Sequence, residues 1–204
     1  MDVCFNYDTV FPEIRTGDLL AYSGRGPLHL GVRLWEWLEY RQAGVRGRPL
    51  PKFSHVGMAL WVNNSHLFIV EQEVFGCRMI PLRKSIKKFN GDVYWYSLRQ
   101  DLLVHQMAGY ALDAVFDRYG YRDLLRTFLF NDRNLNSPAY CSGLYRALLK
   151  AGGYDWGDWD PMPDELVELP CLACRGQLVV NNETIDQVAV APLQPLMRRS
   201  EAFG

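Results

Sequence analysis

Two apolar, β-prone runs, Val56 to Val62 and Leu67 to Glu73, stand on either side of Asn63-Asn64-Ser65-His66, a sequence that favours a tight turn. Such a pair folds as a β-hairpin, and a hairpin needs further elements to cover its apolar surface. Period-two alternation sets Val56, Met58 and Leu60 on one fully apolar face and His55, Gly57 and Ala59 on the other. The small residues beside His55 leave room for a helix to lie across that face, although ordinary close packing explains them equally well. In the second run Glu71 and Glu73 share a face inside an otherwise apolar segment. If Val62 pairs with His66 across a three-residue turn, His55 opposes Glu73 and has Glu71 as its diagonal neighbour. An even turn would put both carboxylates on the wrong face, so the pattern predicts an odd turn or a bulge that restores parity.

Gly17 to Tyr22 reads as a turn entering an earlier strand, and Cys77 to Leu82 and Val93 to Leu98 as two later ones, separated by the basic stretch Arg83, Lys84, Lys87, Lys88. Together these strands suggest an antiparallel meander. Leu30, Leu34, Trp37 and Leu38 recur at helical spacing, which predicts a helix over about Leu28 to Tyr40 with that face buried. From Arg41 to Lys52 the chain carries four cations and no acid, an exposed basic loop. After Arg99 the period becomes helical, with Leu103, Met107, Tyr110, Ala111 and Ala114 running to the Tyr119-Gly120 break. Ser137-Pro138 opens a further helix, striped by Leu144, Tyr145 and Leu148 and ended by Gly152-Gly153. Short strands at Gln177 to Val180 and Gln187 to Val190 complete an α+β class, and no linker or repeat divides residues 1–204 into more than one domain.

With 22 Lys plus Arg against 23 Asp plus Glu, the net charge of −1 argues against a nucleic-acid partner. No apolar run approaches the roughly 18–20 residues that span a bilayer. Asp2, Asp8, Glu13 and Arg15 interrupt the N-terminal stretch, so no signal peptide is read. A cytoplasmic location is expected, or delivery outside by a non-classical route. Five cysteines at irregular spacing suit free thiols better than a disulfide framework. Cys171-Leu172-Ala173-Cys174 lacks the second ligand pair a structural zinc site needs, and Gly24-Arg25-Gly26 is too short to cradle a phosphate, so no metal or cofactor is expected. His29, His66 and His105 are scattered and read as surface or packing residues.

Chemistry gathers elsewhere. Cys141 falls in the first turn of the helix opened by Pro138, where unpaired N–H groups and the helix dipole favour a thiolate and are placed to hold an oxyanion. The same position suits a buried structural cysteine. A nucleophilic thiol needs a base and a group that orients the base; His55 with Glu71 or Glu73 supplies both. Tyr154, Trp156 and Trp159, interleaved with Asp155, Asp158 and Asp160, follow that helix and either line a substrate groove or cap the core. The groove is the preferred reading.

The ordered set Gly17-Asp18-Leu19-Leu20, Ser54-His55-Val56-Gly57, Val70-Glu71 with Gly76 and Pro81-Leu82, then Tyr140-Cys141-Ser142, resembles the circularly permuted NlpC-like cysteine hydrolases of the YiiX/YaeF type. In that family the histidine strand precedes the cysteine helix, the reverse of the papain order. Tyr119 to Leu124 is similar to the family's tyrosine-containing stretch and Pro163 to Leu166 to its proline turn. The resemblance covers most of residues 17–166 and implies a permuted papain-like fold, with residues 167–204 as a C-terminal extension. It makes Cys141 the nucleophile, His55 the general base and Glu71, in preference to Glu73, the residue orienting His55. Tyr121, Tyr140, Ser142 and Trp156 are the expected substrate contacts. The implied reaction is hydrolysis of peptide or cell-wall amide bonds through an acyl-enzyme. A lipid acyl hydrolase or acyltransferase of the same fold is the neighbouring alternative, and a catalytically silent binding or assembly module the alternative from another class. Gln72 after Glu71 departs from the family pattern, where a small residue is expected.

Overall fold

The computed structural model describes residues 3–42, 44, 47–73, 76–99, 102–116, 140–155, 157 and 161–180. They form an α+β fold around one mixed sheet of seven strands: β1 (Cys4–Asn6), β2 (Leu19–Gly24), β3 (His55–Val62), β4 (His66–Glu73), β5 (Gly76–Pro81), β6 (Gly91–Leu98) and β7 (Leu172–Val179). The order across the sheet is β1-β7-β6-β2-β3-β4-β5, antiparallel throughout except for the parallel β1–β7 pair. The helices are α1 (Tyr7–Val10), α2 (Pro27–Gln42), α3 (Leu82–Lys88), α4 (Val104–Phe116), α5 (Cys141–Ala151) and α6 (Pro163–Leu166).

The hairpin has the odd turn its pattern requires: Val62 pairs with His66, and Asn63 and Asn64 both take left-handed backbone, which asparagine tolerates better than most residues. Two cores follow from the alternation. On one side Val56, Met58 and Leu60 pack with Leu144, Tyr145 and Leu148 of α5 and Met107 and Ala111 of α4. On the other, Ala59 and Ile69 pack with Tyr22, Trp95 and Leu82. Asp18, 1% exposed, is tied between them, accepting hydrogen bonds from the Arg15 and Leu98 backbone N–H groups and from Trp95 Nε1.

Several expectations are corrected. The helix that carries Cys141 lies across the Val56/Met58/Leu60 face, not across Gly57 and Ala59. The space beside Gly57 is taken by Ile69, whose Cδ1 would stand 2.6 Å from an added Cβ. The basic stretch after β5 is α3, docked through Leu82 and Ile86. In α2 the leucines Leu30, Leu34 and Leu38 point outward, while Glu36 and Tyr40 are the buried residues. Polar groups occupy the space beneath that helix, Ser54 and the Pro51 carbonyl among them, so its polar side turns in. The sheet does not end with the core at residue 166, because β7 sits between β1 and β6 in the interior of the sheet. The strand expected at Gln187 to Val190 and the helix opening at Ser137-Pro138 lie outside the described residues.

Candidate active site

The site is assembled where β3 begins. Lys52 and Phe53 donate their backbone N–H groups to Asp164 of α6 at 2.8 and 2.7 Å, and the Ser54 N–H bonds the Tyr22 carbonyl at 2.9 Å. These bonds fix the entry of the chain into the strand, and His55 is its first residue. The imidazole lies against the Tyr22 ring, 5.5 Å between centroids, and Tyr22 is itself held by a 3.0 Å hydrogen bond between its hydroxyl and that of Ser85.

Glu71 reaches His55 from the neighbouring strand as its diagonal partner. The ring Nε2 donates to Oε2 of Glu71 at 2.8 Å, and Arg78, directly opposite on β5, donates to Oε1 through Nε and a guanidinium Nη at 2.8 and 2.7 Å. Both oxygens of a carboxylate that is 2% exposed are thus satisfied, as a buried charge requires. Burial opposes the charge on Glu71, but the hydrogen bonds and charges of His55 and Arg78 outweigh it and hold the carboxyl below its ordinary range. Glu73 serves Arg78 instead, at 2.6 Å.

Nε2 being engaged, Nδ1 is the ring nitrogen left open, and Cys141 is close enough to the imidazole for each group to shift the other's ionisation. Cys141 is the first residue of α5, after Tyr140 in extended backbone, so its sulfur meets the open end of the helix. Burial pushes the thiol up, but the His55 charge and hydrogen bond, with the backbone N–H groups of Val56 and Ser142, reverse this and lower it. His55 moves the other way. Burial disfavours its charge, yet the Cys141 thiolate, followed by Glu71, pushes the imidazole up to about 10. The two shifts describe one thiolate–imidazolium pair. Neither partner is sealed off, since Cys141 and His55 are both partly exposed.

Of the expected substrate contacts, Tyr140 is half-buried beside Cys141, and Ser142 is buried, so what Ser142 offers the sulfur is its backbone N–H. Tyr121 and Trp156 lie outside the described residues, as do Trp159, Asp158 and Asp160.

Helix α2 brings residues that the spacing did not single out. His29, read from sequence as a surface or packing residue, accepts or donates a 3.0 Å bond between Nδ1 and the Ser54 hydroxyl; burial first, then the charge of His55, lowers its pKa. Gly24 makes this placement possible, because an added Cβ would fall 2.1 Å from the His29 ring. Glu36 is 2% exposed, and among the described residues its Oε2 has no hydrogen-bond partner. Burial, then the charge of Cys141 and those of Asp164 and Glu165, push its carboxyl up to about 9. A helical repeat that placed Glu36 on the side opposite Leu30 and Leu34 was the available signal.

Among the described residues no group of three or more His, Cys, Asp or Glu is arranged to hold a metal ion, and no helix is long and apolar enough to cross a membrane. No protein-family model matches the chain, and no curated protein matches it.

Proposed function

We propose that the chain is a cysteine hydrolase of the amidase or endopeptidase type, built on a permuted papain-like fold, with Cys141, His55 and Glu71 as its triad. The observation that carries this reading is the convergence of a partly exposed thiol at a helix start, an imidazole close enough to shift its ionisation, and a buried carboxylate bonded to Nε2 of that imidazole at 2.8 Å. A structural cysteine needs none of these partners, and a thiol that is partly exposed is open to a substrate.

In this mechanism the Cys141 thiolate attacks the amide carbonyl carbon, and the N–H groups at the start of α5 hold the resulting oxyanion. As the C–N bond breaks, protonated His55 gives its proton to the leaving amine and leaves a thioester on Cys141. Neutral His55 then takes a proton from water, which attacks the thioester, releases the acid and returns the thiolate pair. Glu71 keeps the ring oriented and favours the imidazolium, and Arg78 keeps Glu71 ionised. The resemblance to permuted NlpC-like enzymes directs the substrate search to peptide and cell-wall amides. An acyl lipid is the second reading, favoured by the exposed apolar side of α2, the helix whose opposite side carries Glu36 toward Cys141.

The test is the rate of Cys141 alkylation by iodoacetamide against pH, with mass mapping, in the wild type and in His55→Ala, followed by turnover of peptide amides. An activated pair alkylates at full rate well below the ordinary thiol value of about 8.5, and His55→Ala returns the profile to that value. Turnover should require the imidazolium and so fall as pH rises past the His55 value near 10, with His55→Ala lowering kcat/KM by about 10²–10⁴. An inert Cys141, or one indifferent to His55, would exclude the hydrolase and favour a binding module.

A further inference from the structure

Six of the eight large apolar side chains that stand exposed among the described residues belong to α2 or to the loop after it: Leu28, Leu30, Leu34, Trp35, Leu38 and Leu50. Leu28 is 70% exposed and Trp35 53%. Leu30, Leu34 and Leu38 follow one another at intervals of four with Trp35 beside them, a single stripe along the outside of the helix. The polar residues face the other way, with His29, Arg33, Glu36 and Tyr40 turned toward the protein. For a helix packed on a sheet this is an inverted arrangement, and a concentrated apolar patch of this kind marks an interaction surface.

Charge indicates what the surface meets. Residues 41–52 carry Arg41, Arg46, Arg48 and Lys52 and no acid. Arg33 Nε donates to the Pro51 carbonyl, and the Arg48 guanidinium lies over the Tyr40 ring at 4.3 Å, where it also pairs with Glu165 and Glu168 at 3.7 and 3.1 Å. Arg41 lies over the Trp37 ring at the C-terminal end of the helix, 4.8 Å from its centroid. The apolar stripe thus ends at the cation Arg41, and the segment that follows it in the sequence adds cations and no acid. A two-fold interface between copies would set this patch against itself and bring like charges together, whereas an anionic bilayer accepts both parts, the leucines and tryptophan in the acyl boundary and the cations at the headgroups.

We propose that the outer face of α2, with the adjoining basic loop, docks the protein on an anionic lipid bilayer. The proposal does not depend on the chemistry at Cys141. It is tested with the full chain by co-sedimentation with vesicles of phosphatidylcholine alone and of equal parts phosphatidylcholine and phosphatidylglycerol. Binding is expected to the anionic vesicles, weaker to the neutral ones and falling with added salt. Leu34→Asp/Leu38→Asp should weaken it at least about tenfold, since each leucine contributes burial of its own. Arg41→Glu should weaken binding to anionic vesicles specifically, and Cys141→Ala should bind as the wild type does. Wild-type protein left in the supernatant with both vesicles overturns the proposal. So does a double variant that binds undiminished, or a dimer in sedimentation equilibrium that the same substitutions dissociate.

Discussion

Glu36 illustrates what a single misplaced charge does to a small protein. Its carboxyl, 2% exposed and pushed up to about 9, keeps its proton at neutral pH, whereas the unfolded chain releases that proton near 4.5. Between these values the unfolded state binds fewer protons than the folded one, so this group makes stability fall as pH rises, by at most about 1.4 kcal/mol per pH unit. Glu36→Gln should remove that slope. Its urea midpoint should match the wild type near pH 5 and exceed it increasingly toward pH 9; parallel curves would show that Glu36 is ionised in the folded protein. Cys141 and His55 stood out in the sequence because a helix start, strand parity and a turn length are local features that place side chains, but parity left Glu71 and Glu73 both open and only the family resemblance preferred Glu71. Glu36, His29 and Arg78 did not stand out. The first two depend on which way α2 faces, and the third on the β4–β5 register that sets Arg78 opposite Glu71.

At the scale of elements, β3 owes its fit to Gly57. An added Cβ there would lie 2.6 and 2.7 Å from Cδ1 and Cγ1 of Ile69 and 3.0 Å from the Val70 carbonyl oxygen, in a hairpin whose ladder leaves little freedom to shift. Gly57→Ala should therefore destabilise the protein by about 1–3 kcal/mol, as overpacking does, and Ile69→Val in the same chain should restore part of the loss. Denaturant unfolding of the three variants decides it, and equal stability of Gly57→Ala and wild type would refute the packing account. Strands with clean alternation were readable from the sequence, as was the change to helical period after Arg99. The helix over Leu82–Lys88 was hidden, because a short basic stretch with only Leu82 and Ile86 to bury looks like a loop until a sheet is present to receive it. The face of α2 was misread for the opposite reason: periodicity shows that a helix has two sides but not which side the protein meets.

For the whole molecule the strand order matters more than any single element. Residues beyond 166 read as a C-terminal extension with a short strand at Gln177 to Val180, yet β7 pairs with β6 on one side and β1 on the other, and β1 has β7 as its sheet neighbour. A chain ending at Val167 should lose cooperative thermal unfolding, since it removes Leu172 and Leu178 from the two cores and uncovers an edge of β6; a sharp transition in circular dichroism would contradict this. No local pattern announced the pairing, because strands separated by most of the chain find each other through the assembled sheet and not through spacing. The same pairing has a consequence for synthesis. About 170 residues separate Asn6 from Val179, which at roughly 5–20 residues per second is some 10–35 s of translation. Throughout that interval the first strand made lacks its sheet neighbour, and from the synthesis of Leu98 onward the flank of β6 that β7 will cover is open as well.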